Sequence, residues 1–223
     1  MGTETDTSTA KGRSSGKGES RRNELLEIAT RVFAEKGIAS ATVRDIAQEA
    51  GILSGSLYHH FASKEEMVKE IVGDGPADGP NLFEAIAASS SGPIEAIHDC
   101  ILSAVRWVAR NPHKARIFRN DAQYIKETAA LASSEARRQA NRMNWVIVVE
   151  RGMADGVFRA DLDADLAVRA MWDGILGSIR WFPPLGTSDP AYIGEQLAAF
   201  YLGGIQTTTT PTKRTARRAR AAG

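Results

Sequence analysis

A pattern of two short helices joined by a tight turn, within residues 42–61, constrains the fold of this chain more than any other feature. Thr42 is a favourable N-cap, and Asp45 three residues later completes a pattern typical of a capping box. Apolar residues then recur at spacings of three and four up to Ala50, and Gly51 supplies the left-handed geometry that ends many helices. The pattern therefore predicts a first helix of about eight residues, ended by a glycine.

The second short helix is predicted over residues 54–61. Its first turn contains Gly55 and Ser56, which are small enough to let another molecule approach the backbone closely. Leu53, immediately before it, carries no hydroxyl group, so we expect Ser54 to cap this helix instead. Two short helices with this spacing are typical of a helix-turn-helix, in which the second helix lies in the DNA major groove.

Helices are also predicted on both sides of this pair. Residues 22–36 have an amphipathic stripe that can pack on the two short helices, and Gly37 ends it. Ser63 can cap a further helix that begins at Lys64. Residues 21–72 are therefore expected to form a three-helix, DNA-binding headpiece with a further helix leading out of it.

The order of residues in the headpiece, over residues 22–72, resembles the TetR family of bacterial transcriptional repressors. The residues that carry the resemblance are Thr42, Arg44, Ile46, Ala47, Gly51, Gly55, Leu57, Tyr58, Phe61, Ser63, Lys64 and Glu65. Residues 53–64 are most similar to actinobacterial members that regulate lipid and steroid catabolism. The resemblance implies a homodimer that represses transcription at a palindromic operator. It also implies release by a small, mostly apolar effector, for which an acyl-CoA or a lipid-like molecule is a candidate.

The same resemblance implies roles for individual residues of the headpiece. Arg44 is the first candidate for reading a base, because a guanidinium can donate to both groove acceptors of guanine. His59 is the second candidate, and Gly55 would let the backbone approach DNA. The remaining positions expected to contact DNA, chiefly at phosphates, are Thr42, Ser54, Ser56, Tyr58, His60 and Lys64. His60 could instead be a packed histidine.

The rest of the chain predicts helices alone, because no segment alternates clearly enough to form a strand. Turn residues separate six helical spans, at 81–89, 93–110, 113–126, 128–155, 164–182 and 188–205. Glycines and prolines crowded between residues 73 and 80 should break the helix that leads out of the headpiece. The predicted fold is therefore all-α, with the helix-turn-helix headpiece followed by a larger helical domain over residues 73–206.

This larger domain is expected to bind the effector and to dimerise. It contains all four tryptophans, a composition that suits a ligand cavity between helices, although aromatic residues at helical spacing more often form a core. The candidate effector-binding residues are Trp107, Tyr124, Trp145, Trp172 and Leu176. The resemblance places the dimer interface on the last two long helices, and these residues could otherwise pack within one chain. The candidate interface residues are Ala167, Met171, Ile175, Ile179, Leu197 and Tyr201.

Charge is unevenly distributed along the chain, although the formal net charge is only +1. Residues 1–22 carry five Lys/Arg and three acids, and residues 207–223 carry five and none, which leaves 18 basic and 24 acidic side chains between them. Attraction to DNA must therefore depend on where the basic side chains lie. Segments 1–20 and 207–223 are poor in apolar residues, so we expect two disordered tails, the second of them basic.

Several other classes of protein are disfavoured. The chain shows neither an 18-residue apolar run nor a secretory signal, and the single Cys100 cannot form an intrachain disulfide, so the cytoplasm is the expected location. An enzyme is a weak alternative: Asp161, Asp163 and Asp165 resemble the start of a calcium loop, but Leu166 occupies its glycine position. No metal and no cofactor are expected. A ligand-independent architectural DNA-binding protein is the other alternative, which the large aromatic-containing domain disfavours.

Overall fold

The computed structural model describes residues 11–73, 82–181 and 189–207. These residues are almost entirely helical, and the only extended pairing among them is an isolated bridge between Phe158 and Gln206. The all-α expectation is therefore confirmed. The predicted terminal tails and the predicted break after Gly73 fall largely on positions 1–10, 74–81 and 208–223, which lie outside the described residues.

Four helices make up the N-terminal part of the chain. They are α1 (Lys11–Lys36), α2 (Val43–Glu49), α3 (Ser54–Leu57) and α4 (Lys64–Gly73). Gly37 and Gly51 have φ angles of 80° and 66°, the left-handed geometry expected where α1 ends and where the chain turns after α2. Thr42 and Asp45 form the predicted capping box at the start of α2.

The start of α1 differs from the prediction. This helix begins at Lys11, so the disorder expected for residues 1–20 is wrong for residues 11–20. Propagating an existing helix costs far less than nucleating one, and the packed turns after Arg22 provide the nucleus. A segment with few apolar residues can therefore stay helical as an extension of α1.

The extent and the cap of α3 also differ from the prediction. The helix covers four residues and ends at Leu57, and turns replace the remainder of the span expected at residues 54–61. Leu53 occupies the N-cap position, and no side chain caps the helix there, so the expected role of Ser54 as the cap is wrong. Burial of Leu57 and Phe61 holds this short segment in place without a longer helix.

Seven further α-helices follow in the described part of the chain. They are α5 (Leu82–Ser89), α6 (Pro93–Arg110), α7 (Pro112–Asn120), α8 (Ala122–Glu127), α9 (Ala132–Ala154), α10 (Ala164–Gly177) and α11 (Pro190–Ile205). The span predicted at 113–126 is two helices, because the chain turns at Asp121. Short 3-10 turns, Ala129–Leu131 and Ser178–Arg180, precede α9 and follow α10.

Helix α6 lies at the centre of the C-terminal domain, where it packs against α5, α9, α10 and α11. Cys100 on α6 is buried, as a small apolar residue would be, and burial raises the pKa of its thiol to about 12. At the end of α9, a β-carbon on Gly152 would lie 2.1 Å from the Phe158 ring. Thr207, expected in the disordered tail, instead donates a hydrogen bond of 2.9 Å to the carbonyl of Gly156.

The headpiece and the C-terminal domain meet where α1 packs on α7 and where α4 packs on α7, α9 and the Ala129–Leu131 turn. Directly after α7, the Asp121 carboxylate accepts a hydrogen bond of 2.9 Å from the backbone N–H of Ile38. Half-burial raises the pKa of Asp121, although this hydrogen bond acts in the opposite direction. Because Ile38 follows the glycine that ends α1, Asp121 ties the α7–α8 junction to the turn that leads into α2.

Candidate nucleic-acid interface and effector cavity

The helix-turn-helix surface is supported by a core beneath it. Ile46 of α2 and Leu57 of α3 are fully buried, and they belong to the same apolar cluster as Leu25 and Phe33 of α1. This packing fixes the two short helices on α1 and leaves their outer surfaces in solvent. Positions on the outer surface are therefore available to another molecule without any change in the core.

Most residues expected to contact DNA lie on that outer surface. Ser54 and His60 are half-buried, whereas the exposed ones are Thr42, Arg44, Gly55, Ser56, Tyr58 and His59. Within the described residues, the guanidinium of Arg44 has no hydrogen-bond or ion-pair partner, so it can turn toward a ligand. The structure thus places the predicted residues on one small domain, and their contacts with DNA stay predictions.

The hydroxyl of Thr42 already has two partners. It donates 2.7 Å to the carboxylate of Asp45 and accepts 3.1 Å from the Asp45 backbone N–H. Lys36 lies 2.6 Å from the same carboxylate, and hydrogen bonds from Lys36 and Thr42 hold the pKa of Asp45 well below its usual range. The hydroxyl therefore positions the start of α2, and one oxygen lone pair remains for any further contact.

Lys64 has a structural task that the sequence did not reveal. Its ammonium donates to the carbonyls of Ile38 and Ala41, at 2.7 and 3.0 Å, and so holds the turn between α1 and α2. Two of its three protons are used in this way, which leaves one for a phosphate. The predicted phosphate contact would therefore come from a side chain whose position is already fixed.

A cluster around Arg22 joins the two ends of the headpiece and was also missed from the sequence. The Arg22 guanidinium pairs with Glu66 and Glu70 of α4, and its Nε donates 3.2 Å to the carbonyl of His60. It also lies 4.4 Å from the centre of the Phe61 ring. The hydrogen bond with Glu70 is the main cause of a raised pKa for Arg22. This cluster fixes α4 and the end of the helix-turn-helix on α1.

A cavity of about 280 Å³ lies among α7, α8, α9 and α10. Two of the predicted effector-binding residues, Trp172 and Leu176, are on its wall. The other lining residues are Phe118, Lys126, Glu135, Arg138, Gln139, Asn141, Arg142, Arg169 and Asp173. The indole N–H of Trp172 is buried and has no hydrogen-bond partner among the described residues, so it can serve as a donor to a bound molecule.

Three predicted effector-binding residues do not line this cavity. Trp145 is fully buried behind Trp172, with 5.2 Å between the ring centres, and Trp107 packs on Phe118. Tyr124 is half-buried against the core. Their role in binding an effector stays a prediction, because helical spacing places aromatic residues inside the domain without showing which of them face a ligand.

The cavity wall is more strongly charged than the sequence suggested. It carries four basic and two acidic side chains, a formal net charge of +2. Burial disfavours ionised Glu135, but hydrogen bonds from Arg138 and Gln139 keep its pKa below the usual value. Burial and two neighbouring arginines lower the pKa of Arg142, which lies against Asp165. Asp165, which is outside the cavity wall, also pairs with Arg169, so an anionic group in the cavity would meet a smaller excess of positive charge than the wall residues alone carry.

The predicted dimer residues divide into two groups. Met171 and Ile175 are 1% and 0% exposed inside their own chain, so assigning them to a dimer interface was wrong. The remaining four, which stay predictions, are half-buried: Ala167, Ile179, Leu197 and Tyr201. The exposed apolar residues occupy neighbouring positions on the same two helices, and together they are called the exposed apolar stripe. It comprises Leu166 and Ala170 on α10 and Tyr192, Ala199 and Phe200 on α11.

The residues that resemble a calcium loop have other partners. The carboxylate of Asp163 caps α10 by accepting from Leu166 N at 2.9 Å, and Asp161 and Asp165 pair with arginines. In the described part of the chain, no group of three or more His, Cys, Asp or Glu side chains is placed to hold a metal ion. Among the same residues, no helix has the length and apolar character needed to cross a membrane.

Comparisons with known proteins agree with this architecture. The model for bacterial regulatory proteins of the tetR family matches residues 25–71, and that for the tetracyclin repressor-like C-terminal domain matches residues 90–205. The chain is 40% identical over 194 residues to the HTH-type transcriptional repressor KstR2 of Mycobacterium tuberculosis, covering 86% of this chain and 96% of that protein. It is 38% identical over 186 residues to KstR2 of Mycolicibacterium smegmatis, covering 83% and 91%.

A solved structure shows the same similarity in three dimensions. The ketosteroid transcriptional regulator KstR2 of Mycobacterium tuberculosis superimposes with a TM-score of 0.76 and is 40% identical, over 84% of this chain and 96% of that one. Both the helix-turn-helix headpiece and the helical C-terminal domain are included in the match. The chain therefore belongs to the TetR family of bacterial regulatory proteins.

Proposed function

We propose that this chain is a sequence-specific, DNA-binding transcriptional repressor that acts as a homodimer in the bacterial cytoplasm. The observation that carries the proposal is the exposed surface of α2 and α3, where Arg44 and His59 project from a rigid core in a chain of the TetR family. Two such headpieces about 34–36 Å apart would read both halves of a palindromic operator from one side of the DNA.

The exposed apolar stripe on α10 and α11 supports the dimer. Leu166 on α10 and Tyr192 and Phe200 on α11 are large apolar residues exposed on these two helices, and the spacing of Tyr192 and Phe200 puts them on one broad face of α11. Burying them against the same face of a second chain would remove apolar surface from water on both sides of a twofold axis. In the proposed dimer these residues take the place of the buried Met171 and Ile175.

The cavity supports an amphipathic effector with an anionic group. Its volume of about 280 Å³ is at the small end for ligand sites, which suits a ring system or a short acyl chain better than a whole coenzyme A conjugate. Trp172 and Leu176 offer an apolar wall. The guanidinium groups on the same wall, each now paired with Glu135 or Asp165, offer donors that an anion would share with these carboxylates: Arg138, Arg142 and Arg169. A carboxylic acid or acyl-CoA derived from lipid or steroid breakdown fits this combination, with the coenzyme outside the cavity.

A route from the cavity to the headpiece runs through α7. Phe118 is on the cavity wall, and three residues later Asp121 holds the backbone N–H of Ile38. An effector that displaces the end of α7 would therefore shift the turn that leads into α2 and change the spacing of the two headpieces. This route does not depend on the residues between α4 and α5.

Selection of bound duplexes from a random-sequence pool, followed by affinity measurements, tests the proposed function. We expect an enriched palindrome, with Arg44→Ala relaxing the preference at one base pair per half-site by about 1–3 kcal/mol. Arg151→Ala removes an exposed arginine from α9 and serves as the matched control. Binding that is salt-sensitive and blind to sequence would contradict the proposal and favour an architectural DNA-binding protein.

A further inference from the structure

Leu53 is the most exposed large apolar residue in the described part of the chain, with 80% of its surface in solvent. It occupies the N-cap position of α3, where its extended backbone has a φ of −75° and a ψ of 145° and its side chain makes no capping hydrogen bond. Polar residues that can cap are strongly preferred at this position. Both the exposure and the missing cap are unfavourable in the isolated protein, and no packing contact compensates for them.

The surroundings of Leu53 indicate what covers it. Gly55 and Ser56 are exposed beside it, and no atom lies within 4 Å of the place where a β-carbon on Gly55 would be. Leu53 thus projects beside small exposed residues, and Tyr58, at the other end of the same short helix, is the other large apolar residue exposed in the headpiece. The first residues of the second helix of a helix-turn-helix are those that reach base edges in the major groove.

We infer that Leu53 recognises thymine in each half of the operator by packing on the C5-methyl group. That methyl is the apolar feature that the major groove presents, and it distinguishes thymine from cytosine and from the purines. The inference rests on the proposed DNA-binding function and assigns to one residue a specificity that Arg44 cannot supply, because a guanidinium recognises hydrogen-bond acceptors.

Substitution of single thymidines by deoxyuridine tests the contact, because deoxyuridine differs from thymidine only by the absence of that methyl. The probe is the palindromic duplex recovered by selection from a random pool, with each symmetric pair of thymines replaced in turn. For the unmodified protein, replacement at one symmetric pair of positions should weaken binding. The expected loss of affinity is about four-fold for each half-site, or about fifteen-fold when both half-sites are replaced. Leu53→Ala should bind the original duplex less tightly by a similar factor and should be insensitive to deoxyuridine at that pair.

Ile147→Ala provides the matched control, because it truncates another exposed apolar side chain on α9. This variant should keep the full response to deoxyuridine. Two results would overturn the inference while leaving the DNA-binding function in place. In the first, deoxyuridine weakens DNA binding of the unmodified protein and of Leu53→Ala equally at every position; in the second, it weakens binding at none. Failure to recover any preferred duplex would contradict the proposed function itself, and the inference with it.

Discussion

Replacing Asp121 with alanine should weaken the coupling between the effector cavity and DNA binding. The carboxylate accepts from the backbone N–H of Ile38 at 2.9 Å, and it is the described side chain that joins the end of α7 to the turn before α2. Loss of the carboxylate leaves that N–H without its partner. An effector that moves α7 would then move the turn less, because only packing contacts would still join α7 to the headpiece.

The magnitude follows from the environment of this hydrogen bond. Hydrogen bonds to charged groups contribute about 1.5–3 kcal/mol to stability. Half-burial of the carboxylate opposes this gain, as the raised pKa of Asp121 indicates, so we expect Asp121→Ala to destabilise the fold by about 1 kcal/mol. Because the two sites are coupled through the same contact, the effector-induced loss of DNA affinity should shrink by about five-fold.

The assay measures DNA affinity by fluorescence anisotropy with and without a saturating effector, identified by the increase in melting temperature that it causes. Asp121→Asn is the control, since its amide oxygen can still accept from Ile38 and should retain most of the response. Effector affinity of the DNA-free protein should change less than two-fold in either variant, since Asp121 is not on the cavity wall. An undiminished response in Asp121→Ala would refute this route.

Four further predictions follow from other contacts. Gly152→Ala should destabilise the fold by about 1–3 kcal/mol in chemical denaturation, because the new β-carbon overlaps Phe158, whereas Gly18→Ala on α1 has open space and should be neutral or stabilising. Hydrogen bonds from His98 to Glu195, and secondarily to Asp99, raise the pKa of His98. The stability that they add is therefore complete below about pH 6.5 and is lost as the pH rises through the pKa of His98 in the folded protein. His98→Gln should remove this pH dependence of stability, and an unchanged pH profile would contradict the prediction. Phe200→Asp should give monomers by light scattering and weaken operator binding by at least about ten-fold, whereas Ile147→Asp should remain dimeric. Arg142→Gln should weaken the binding of an anionic effector by about ten-fold or more but change the affinity for the uncharged amide of the same effector by less than about two-fold. Equal losses of affinity for both molecules would count against the proposed charge recognition.

The headpiece could be predicted from the sequence because its signals are local. The capping box of Thr42 with Asp45 and the left-handed glycines at 37 and 51 each act within a few residues, and the structure has all of them. The length of α3 could not be predicted in the same way. Burial of Leu57 and Phe61 against α1 fixes that segment through contacts distant in sequence. The apolar spacing that predicted a longer helix therefore occurs in a four-residue helix followed by turns.

The candidate sites were harder to predict because they depend on which side of a helix faces which neighbour. Met171 and Leu166 are five residues apart on α10, yet one is in the core and the other is in solvent. Apolar periodicity predicts that a helix has a buried face. Exposed apolar residues elsewhere on the same helix make the boundary of that face hard to read from the sequence. The charged cavity wall combines residues from four helices, and no single stretch of sequence carries that information.

Fluorescence-anisotropy binding to the intergenic DNA flanking the gene for this protein would distinguish a specific, effector-controlled repressor from a non-specific DNA-binding protein. A salt titration, an unrelated competitor duplex, and additions of candidate acyl-CoA and steroid-acid effectors complete it. The account predicts tight binding by two protomers that resists the competitor and is reversed by an anionic, ring- or chain-bearing effector. Binding that the unrelated duplex abolishes, with affinity set by salt alone and unaffected by any effector that binds the protein, would contradict it.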